Sequence, residues 1–235
     1  MSSTLTCVSA YYPIKNKHNN NYLEWFKNTL SIQCPYVFFT SKSTMDLIKY
    51  FRKDLPTYYI EYDIEDFYTY KYKDKMLTNA GDCPSVELNL IWNEKLFMVQ
   101  KASEINPFNS EWFKWIDAGT CVFRNSPPPS KPFPNPSALI SLPTDKFIYS
   151  SSEPYYTLAV ILKQYTHHIA GTSYLLHKSC IAKFTDIYKV YMEKLIDKSN
   201  IWTDQVILTH IYKDYPELFY KACDGYGEIT TMLYR

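Results

Sequence analysis

Residues 4–10 read TLTCVSA, a run of apolar and β-branched residues that predicts a buried strand. Apolar side chains then recur at helical spacing over residues 22–30, and YVFFT at 36–40 predicts a second strand. Residues 43–51 have the pattern of a capped helix, and TYYIEY at 57–62 predicts a third strand. Such alternation is typical of a parallel α/β sheet, whose ligands bind at the carboxyl ends of its strands.

The rest of the chain extends this pattern. An amphipathic helix is predicted at 87–102, and Asn106-Pro107 ends it before the next apolar run. Residues 125–143 are rich in proline and serine, which excludes regular structure for most of them and leaves a lid or a static surface loop as alternatives. Further strands are predicted at 146–150 and 169–176, and further helices at 178–197 and 202–212.

The segment WIDAGTCV, residues 115–122, places one carboxylate at the end of a strand that is apolar enough to be buried. A carboxylate at the edge of a core requires a partner, such as a metal ion, an arginine or a ligand hydroxyl group. Asp-x-Gly is also ordinary turn chemistry. Asp117 is therefore either a binding residue or a turn residue on this pattern alone.

Several polar and aromatic residues share the edge of the predicted sheet with Asp117. Aromatic side chains can stack on a base, a metal-bound carboxylate can offset pyrophosphate charge, and a second carboxylate can act on a sugar hydroxyl group. The residues at this edge are Tyr11, Tyr12, Thr40, Ser41, Asp117, Gly171, Thr172, Asp204 and Gln205.

Composition excludes several functions. The net charge is +1, so no overall field attracts nucleic acid, and none is expected as a partner. No glycine-rich phosphate loop or Gly-x-Ser-x-Gly elbow is present. Adjacent His167 and His168 would point to opposite faces of a strand, so we interpret them as structural. The six scattered cysteines predict free thiols.

The location is predicted from the same features. We expect a cytoplasmic protein, because no transmembrane span or signal peptide is apparent. Tyrosine is abundant, with 23 copies, as are other residues with A/T-rich codons. This suggests an A/T-rich genome, such as that of a giant virus, a protist or certain bacteria, and the host cytoplasm if the source is viral.

The chain resembles the HtrL/YibB family, which occurs in bacterial surface-polysaccharide loci and is similar to glycosyltransferases of the GT-A fold. The resemblance covers nearly the whole chain. Near the start it is carried by Ser9 to Pro13 with Lys17-His18. The long run 85–124 carries it through Leu90-Ile91-Trp92-Asn93-Glu94-Lys95, Asn106-Pro107-Phe108 and Trp115-Ile116-Asp117. Later in the chain it is carried by Ile169-Ala170-Gly171 and Asp204-Gln205.

The resemblance implies roles for the residues at the sheet edge. Asp117 would take the position of the first carboxylate of the Asp-x-Asp motif, which holds Mn²⁺ or Mg²⁺ in GT-A enzymes. Asp204 would be the base or a carboxylate that orients the donor. The implied nucleotide-binding residues are Tyr11, Tyr12, Thr40, Lys95 and Asp117, and the implied sugar-binding residues are Gly171, Thr172 and Gln205.

Two positions depart from the family pattern. The second carboxylate of the motif is Gly119 here, and one carboxylate binds a divalent cation weakly unless His210, Asp224 or substrate phosphates complete the shell. The alternative is a metal-independent site in which Lys95 or Arg124 offsets the diphosphate charge. The second departure is Leu175-Leu176, where small residues are expected after the glycine.

The resulting hypothesis is a single GT-A-like domain with a mixed, mostly parallel sheet flanked by helices. Residues 1–124 would form the nucleotide-binding half and 125–235 the acceptor and sugar half. The enzyme would transfer a hexose-type sugar from a UDP-sugar to a glycan or glycoprotein hydroxyl group, with inversion or retention left open. The alternatives are a nucleotidyltransferase and a catalytically silent glycan-binding or scaffold protein on the same fold.

Overall fold

The computed structural model describes residues 5–18, 21–153, 168–198 and 200–235. Thr4, at the start of the first predicted strand, and His167 lie outside these residues. The strands are β1 (Leu5–Tyr11), β2 (Tyr36–Thr40), β3 (Thr57–Glu61), β4 (Trp112–Ile116), β5 (Phe147–Ser151), β6 (Ile169–His177) and β7 (Phe219–Asp224).

The helices alternate with the strands through most of the chain. They are α1 (Asn21–Thr29), α2 (Lys42–Arg52), α3 (Val86–Ile105), α4 (Pro136–Ile140), α5 (Lys178–Ile196), α6 (Asp204–Asp214) and α7 (Ile229–Met232), with short 3₁₀ turns at Ile64–Asp66, Tyr68–Lys75, Cys121–Phe123 and Pro216–Leu218. Helix α3 begins where the Ser85 hydroxyl accepts a hydrogen bond from the Leu88 amide, and it ends at Asn106, which has a φ of 40°.

In the described residues the strands form one sheet in the order β3-β2-β1-β4-β6-β5-β7. Strands β3, β2, β1 and β4 are parallel neighbours, β6 is antiparallel to both β4 and β5, and β5 is parallel to β7. Among the seven described strands, β6 alone therefore runs against the others. The predicted α/β class, with a mixed and mostly parallel sheet flanked by helices, is confirmed. The boundary between the two predicted halves at residue 124 stays a prediction.

The hydrophobic core has two layers, one on each face of the sheet. Trp115 of β4 packs into the layer that includes residues of α3, α5 and α6, whereas Ile116 packs into the layer with α1, α2 and α7. Successive side chains of a strand point to opposite faces, so β4 supplies both layers. Its carboxyl end is consequently held rigidly between the two layers.

Lys114 of β4 is fully buried. The alternation of side chains along the strand directs it into a core layer even though it is charged. Its ammonium group donates to Thr230 Oγ1 at 2.8 Å and to Ser173 Oγ, which ties α7 to the sheet. Burial lowers the pKa of Lys114 to about 8. The polar contacts of this lysine are on the opposite face from the cluster described below.

Three features differ from the predictions. Strand β7 was missed because most of its side chains are partly or fully exposed and its sequence lacks a clear alternation. Residues 64–75 form 3₁₀ turns that no pattern predicted, and the proline-rich segment contains the short helix α4. Leu175 and Leu176 are buried within β6, on opposite faces of the sheet. They contribute to the two core layers.

Two further observations concern the cysteines and the helices. All six cysteines are free thiols. No helix in the described part of the chain combines the length and apolar character needed to cross a membrane.

Candidate functional site

Asp117 lies directly after β4, at the carboxyl ends of the parallel strands. Its backbone N–H donates to the Thr172 carbonyl of β6 at 3.0 Å, and Trp115 Nε1 donates to its Oδ1 at 2.8 Å. The side chain is 35% exposed. These bonds fix the direction of one carboxylate oxygen while leaving the group open to a ligand.

Lys95 projects from α3 to the same place and is almost fully buried. Its Nζ donates to the Gly171 carbonyl at 2.8 Å and lies 3.2 Å from Asp117 Oδ1 and 3.7 Å from Asp204 Oδ2. We call Lys95, Asp117 and Asp204 the carboxylate–lysine cluster. It carries one cation and two potential anions in a setting of low dielectric constant, where such contacts are strong.

Burial and neighbouring charges shift the pKa values within the cluster. Burial lowers the pKa of Lys95, but Asp117 and Asp204 outweigh this effect, so the pKa is raised. The pKa of Asp204 is raised to about 6, chiefly by burial and also by Asp117, although Lys95 opposes the shift. Asp204 Oδ2 is buried and has no hydrogen-bond partner. Lys95 Nζ lies 3.7 Å from this oxygen, and a buried carboxylate with a shifted pKa beside a charged partner is a candidate functional group.

Asp204 and Gln205 open helix α6 and face β6. Gln205 Nε2 donates to the Ile169 carbonyl at 2.7 Å, which anchors the start of the helix on the strand. A Cβ atom on Gly171 would lie 2.9 Å from Gln205 Cγ and 3.0 Å from Asp204 Oδ2. Only a glycine lets the helix approach the strand this closely.

The cluster forms part of the wall of a cavity of about 620 Å³, which we call the central cavity. Its size is within the range of cofactor and substrate pockets. The predicted site residues that line it are Lys95, Asp117, Gly171, Thr172, Asp204 and Gln205. Residues predicted from separate parts of the sequence are thus brought together.

Tyr11 and Tyr12 line a narrow cavity of about 70 Å³, which shares Lys95 and Asp117 with the central cavity. Tyr12 is mostly buried, and its hydroxyl group donates to the Tyr62 carbonyl at 2.7 Å. An outer cavity of about 340 Å³ shares Tyr12 and Ile14 with the narrow one. The three cavities therefore adjoin along the carboxyl ends of the sheet.

Thr40 and His210 lie apart from these cavities. The Thr40 hydroxyl group is buried, donates to the Tyr11 carbonyl at 2.8 Å and lies 2.6 Å from Thr44 Oγ1. Thr40 is thus placed to support the end of β1 rather than to face a ligand. His210 is on α6 but lines none of the three cavities.

The donor set does not fit a divalent cation held by protein ligands. Among the described residues, no group of three histidine, cysteine, aspartate or glutamate side chains could hold a metal ion. Asp224 is exposed on β7 and pairs with Lys221 at 3.0 Å. The Lys95 ammonium group lies where a cation bridging Asp117 and Asp204 would lie, and like charges repel.

Sequence reasoning missed most of the opposite wall. Tyr22, Trp92 and Lys17 line the central cavity, and no site role was predicted for any of them. Arg124 also lines it and stacks on Trp25, with the guanidinium carbon 3.9 Å from the ring centroid. Arg124 was predicted as one of two cations that could offset the diphosphate charge in a metal-independent site.

The fold and this cavity define an α/β protein with a polar cavity at the carboxyl ends of its strands, where ligands of open α/β sheets bind. Within that class, the family model described as "Bacterial protein of unknown function (HtrL_YibB)" matches residues 59–229, and the chain belongs to this family. No curated protein matches its sequence.

Two solved structures are similar to the chain at low identity. One is the 4-diphosphocytidyl-2C-methyl-D-erythritol synthase from Anaerococcus prevotii DSM 20548, with 14% identity, a TM-score of 0.42 and coverage of 96% of this chain and 90% of that one. The other is the apo-form glycosyltransferase GlyE of Streptococcus pneumoniae TIGR4, with 9% identity and a TM-score of 0.45. The match covers 94% of this chain and 45% of GlyE. Similarities of this size support no conclusion about activity.

Proposed function

We propose that this protein is a glycosyltransferase that moves a hexose-type sugar from a UDP-sugar to a hydroxyl group of a glycan or glycoprotein. The observation that carries the proposal is the carboxylate–lysine cluster on the wall of the central cavity. Asp204 is buried and Asp117 is open. Carboxylates in such different environments can take different roles, one in acid–base catalysis and the other in orienting a sugar.

The three cavities adjoin along a path that an extended nucleotide sugar could follow. The outer cavity would take the base, the narrow cavity beneath Tyr11 and Tyr12 would take the ribose, and the central cavity would take the diphosphate and the hexose. Tyrosine rings beside the narrow cavity offer stacking surfaces. The acceptor would enter through the central cavity, which is large enough for a second sugar unit.

Asp204 is the proposed catalytic carboxylate. In the simplest scheme the acceptor oxygen bonds to the anomeric carbon, the bond from that carbon to the diphosphate oxygen breaks, and the acceptor proton passes to Asp204. A pKa of about 6 leaves this carboxylate ionised at neutral pH yet basic enough to accept a proton in the transition state. Lys95 would hold both carboxylates in place, and Gly171, Thr172 and Gln205 would border the sugar.

Gly119 favours a second candidate, which is a glycan-binding or scaffold protein on the same fold without catalytic activity. The position of the second motif carboxylate has no side chain to offer a ligand. Such a protein would keep the central cavity and bind a saccharide there without turnover.

A thermal-shift panel tests the two candidates. UDP, GDP, CMP and their sugar conjugates are each added with Mn²⁺ and again with a chelator. Selective stabilisation by one UDP-sugar is expected, since a ligand that binds the folded state raises the melting temperature. A flat response across the panel would favour the binding protein and overturn the transferase.

The Asp204→Asn variant then tests the catalytic assignment in a transfer assay with the selected donor. Transfer should be lost while UDP binding stays within about twofold of the wild type, because the substitution removes the base but keeps the side-chain shape. Thr203→Ser, a conservative change beside it at the start of α6, is the matched control. Unchanged turnover in Asp204→Asn would exclude Asp204 as the base.

A further inference from the structure

The backbone at Gly119 is closed to any side chain. A Cβ atom there would lie 2.8 Å from a ring carbon of Tyr22 and 2.9 Å from a ring carbon of Trp25. Both contacts are shorter than real Cβ contacts, and both rings pack against further aromatic neighbours: Tyr22 lies 5.2 Å from Trp25 and 5.5 Å from Tyr11. An aspartate could not replace Gly119 unless this cluster of rings moved.

Trp25, one of these rings, also contacts a cation. Arg124 stacks on Trp25 at 3.9 Å, and its Nε donates to the Gly119 carbonyl at 2.9 Å. These two contacts fix the plane of the guanidinium group. In the part of the chain that the structure describes, no oxygen accepts a hydrogen bond from its two terminal nitrogens, although the residue lines the central cavity.

The other basic residues that line the central cavity are either paired with carboxylates or uncharged. Lys95 bonds to Gly171 and lies between Asp117 and Asp204, and Lys17 pairs with Asp82 at 2.9 Å. Burial, together with Arg124 and Lys17, lowers the pKa of His18 to about 4, so this ring is uncharged at neutral pH. Among the described basic groups that line this cavity, Arg124 alone is charged, stacked on a ring and without an acidic partner.

We propose that Arg124 binds the diphosphate of the nucleotide donor and takes the place of a divalent cation in this protein. The proposal rests on the proposed function, since it names how that site holds its substrate. A planar guanidinium group that is already stacked and oriented donates two parallel hydrogen bonds to phosphate oxygens. The structure thus combines a position 119 that is closed to a carboxylate side chain with a cation bound to the carbonyl of that same residue.

Isothermal titration calorimetry of the full chain with UDP and with inorganic pyrophosphate tests this proposal. Each ligand is titrated in EDTA and again in Mn²⁺. The wild type should bind both ligands with affinities that differ by less than about threefold between the two conditions. Arg124→Gln should weaken both by about tenfold or more in EDTA, because a charge-assisted bidentate contact is lost.

Two further variants keep the test interpretable. Arg124→Lys retains the positive charge but not the planar pair of hydrogen-bond donors, so an affinity between those of the wild type and Arg124→Gln is expected. Lys27→Gln removes one exposed positive charge from α1 without altering the cavity and should bind like the wild type. Circular dichroism melting curves establish that each variant is folded, and Arg124→Lys serves alone if Arg124→Gln does not fold.

The outcomes separate this inference from the proposed function. Binding of UDP that disappears in EDTA and returns with Mn²⁺ overturns the role of Arg124 and leaves the transferase standing. Metal-free binding of pyrophosphate through Arg124, without any response to nucleotide sugars, supports the anion site and overturns the transferase. Absence of binding in all titrations overturns both.

Discussion

Gly171 of β6 lies directly against Asp204 of α6, so that a Cβ atom on the glycine would be 3.0 and 3.1 Å from the two carboxylate oxygens. The Gly171 carbonyl also accepts the hydrogen bond from Lys95. One residue without a side chain therefore positions both the buried cation and the buried carboxylate. The geometry of the cluster depends on this close approach.

Substitution of Gly171 by alanine should displace Asp204 and lower activity. We expect a loss of about 1–3 kcal/mol in the free energy of unfolding, as for other overpacked sites, together with at least a tenfold loss in kcat/KM. Urea unfolding and the transfer assay measure the two effects. Gly81→Ala is the matched control, because a Cβ there meets only Asn79 Oδ1 at 3.7 Å. Wild-type activity in Gly171→Ala would contradict the positioning role.

Substitution of Lys95 by methionine should strongly destabilise the protein. It removes the cation that lies between two carboxylates and leaves Asp204 as an uncompensated buried charge, which costs about 3–5 kcal/mol. Denaturant unfolding at pH 7.5 measures this loss. Lys101→Met, on the same helix and stacked over Tyr62 at 4.2 Å, should cost about 1 kcal/mol or less.

A double variant separates charge from packing at this position. If the loss in Lys95→Met is due to the unpaired carboxylate, the addition of Asp204→Asn should recover part of the stability. A double variant that is as unstable as the sum of the two single variants would show that packing of the lysine stem dominates.

Glu94 should make stability depend on pH. It is buried, accepts hydrogen bonds from Thr69 and Tyr68, and has a pKa raised to about 7, chiefly by burial. The folded state then binds a proton more tightly than the unfolded chain, so this contribution is full below about pH 4.5 and is lost as the pH rises through about 7. The free energy of unfolding should fall over that interval, and Glu94→Gln should flatten the profile.

The exposed Glu87 supplies the control for this measurement, since it lies on the same helix and its substitution by glutamine should leave the profile unchanged. A Glu94→Gln variant with the full wild-type slope would assign the effect to other groups. Asp204, whose pKa is also raised, contributes in the same direction.

Transfer activity should also depend on pH, through the ionisation of Asp204. The base must be deprotonated to accept a proton, so kcat/KM should rise about tenfold per pH unit below about 6 and level off above it. A pH-rate profile with the preferred donor measures this. A profile that is flat between pH 5 and 7 would remove Asp204 as the titrating base.

Much of the architecture could be predicted from local patterns. Apolar runs such as residues 36–40 have the period and length of strands, and the predicted bounds match β2 at both ends. Position along the chain also placed Asp117 and Asp204 at the edge of the sheet. Strand β7 was missed because it pairs at the outer edge, where partly exposed residues leave little hydrophobic pattern.

The candidate site was predictable in its parts but not in its connections. Thr40 has the same residue type and strand-end position as a ligand-binding threonine, yet its hydroxyl group is used by Tyr11 and Thr44. Lys95 was indistinguishable from a solvated lysine on an amphipathic helix, because its burial results from the packing of α3 on the sheet.

Local sequence thus established the alternation of strands and helices and the buried strand that ends at Asp117, because these follow from the periodicity of apolar residues. The contacts of Lys95 with Asp117 and Asp204, and of Arg124 with Trp25 and Gly119, join residues that lie on separate elements. Such contacts arise only when the sheet and its helices assemble, since charges and rings distant in the chain interact through their positions in space.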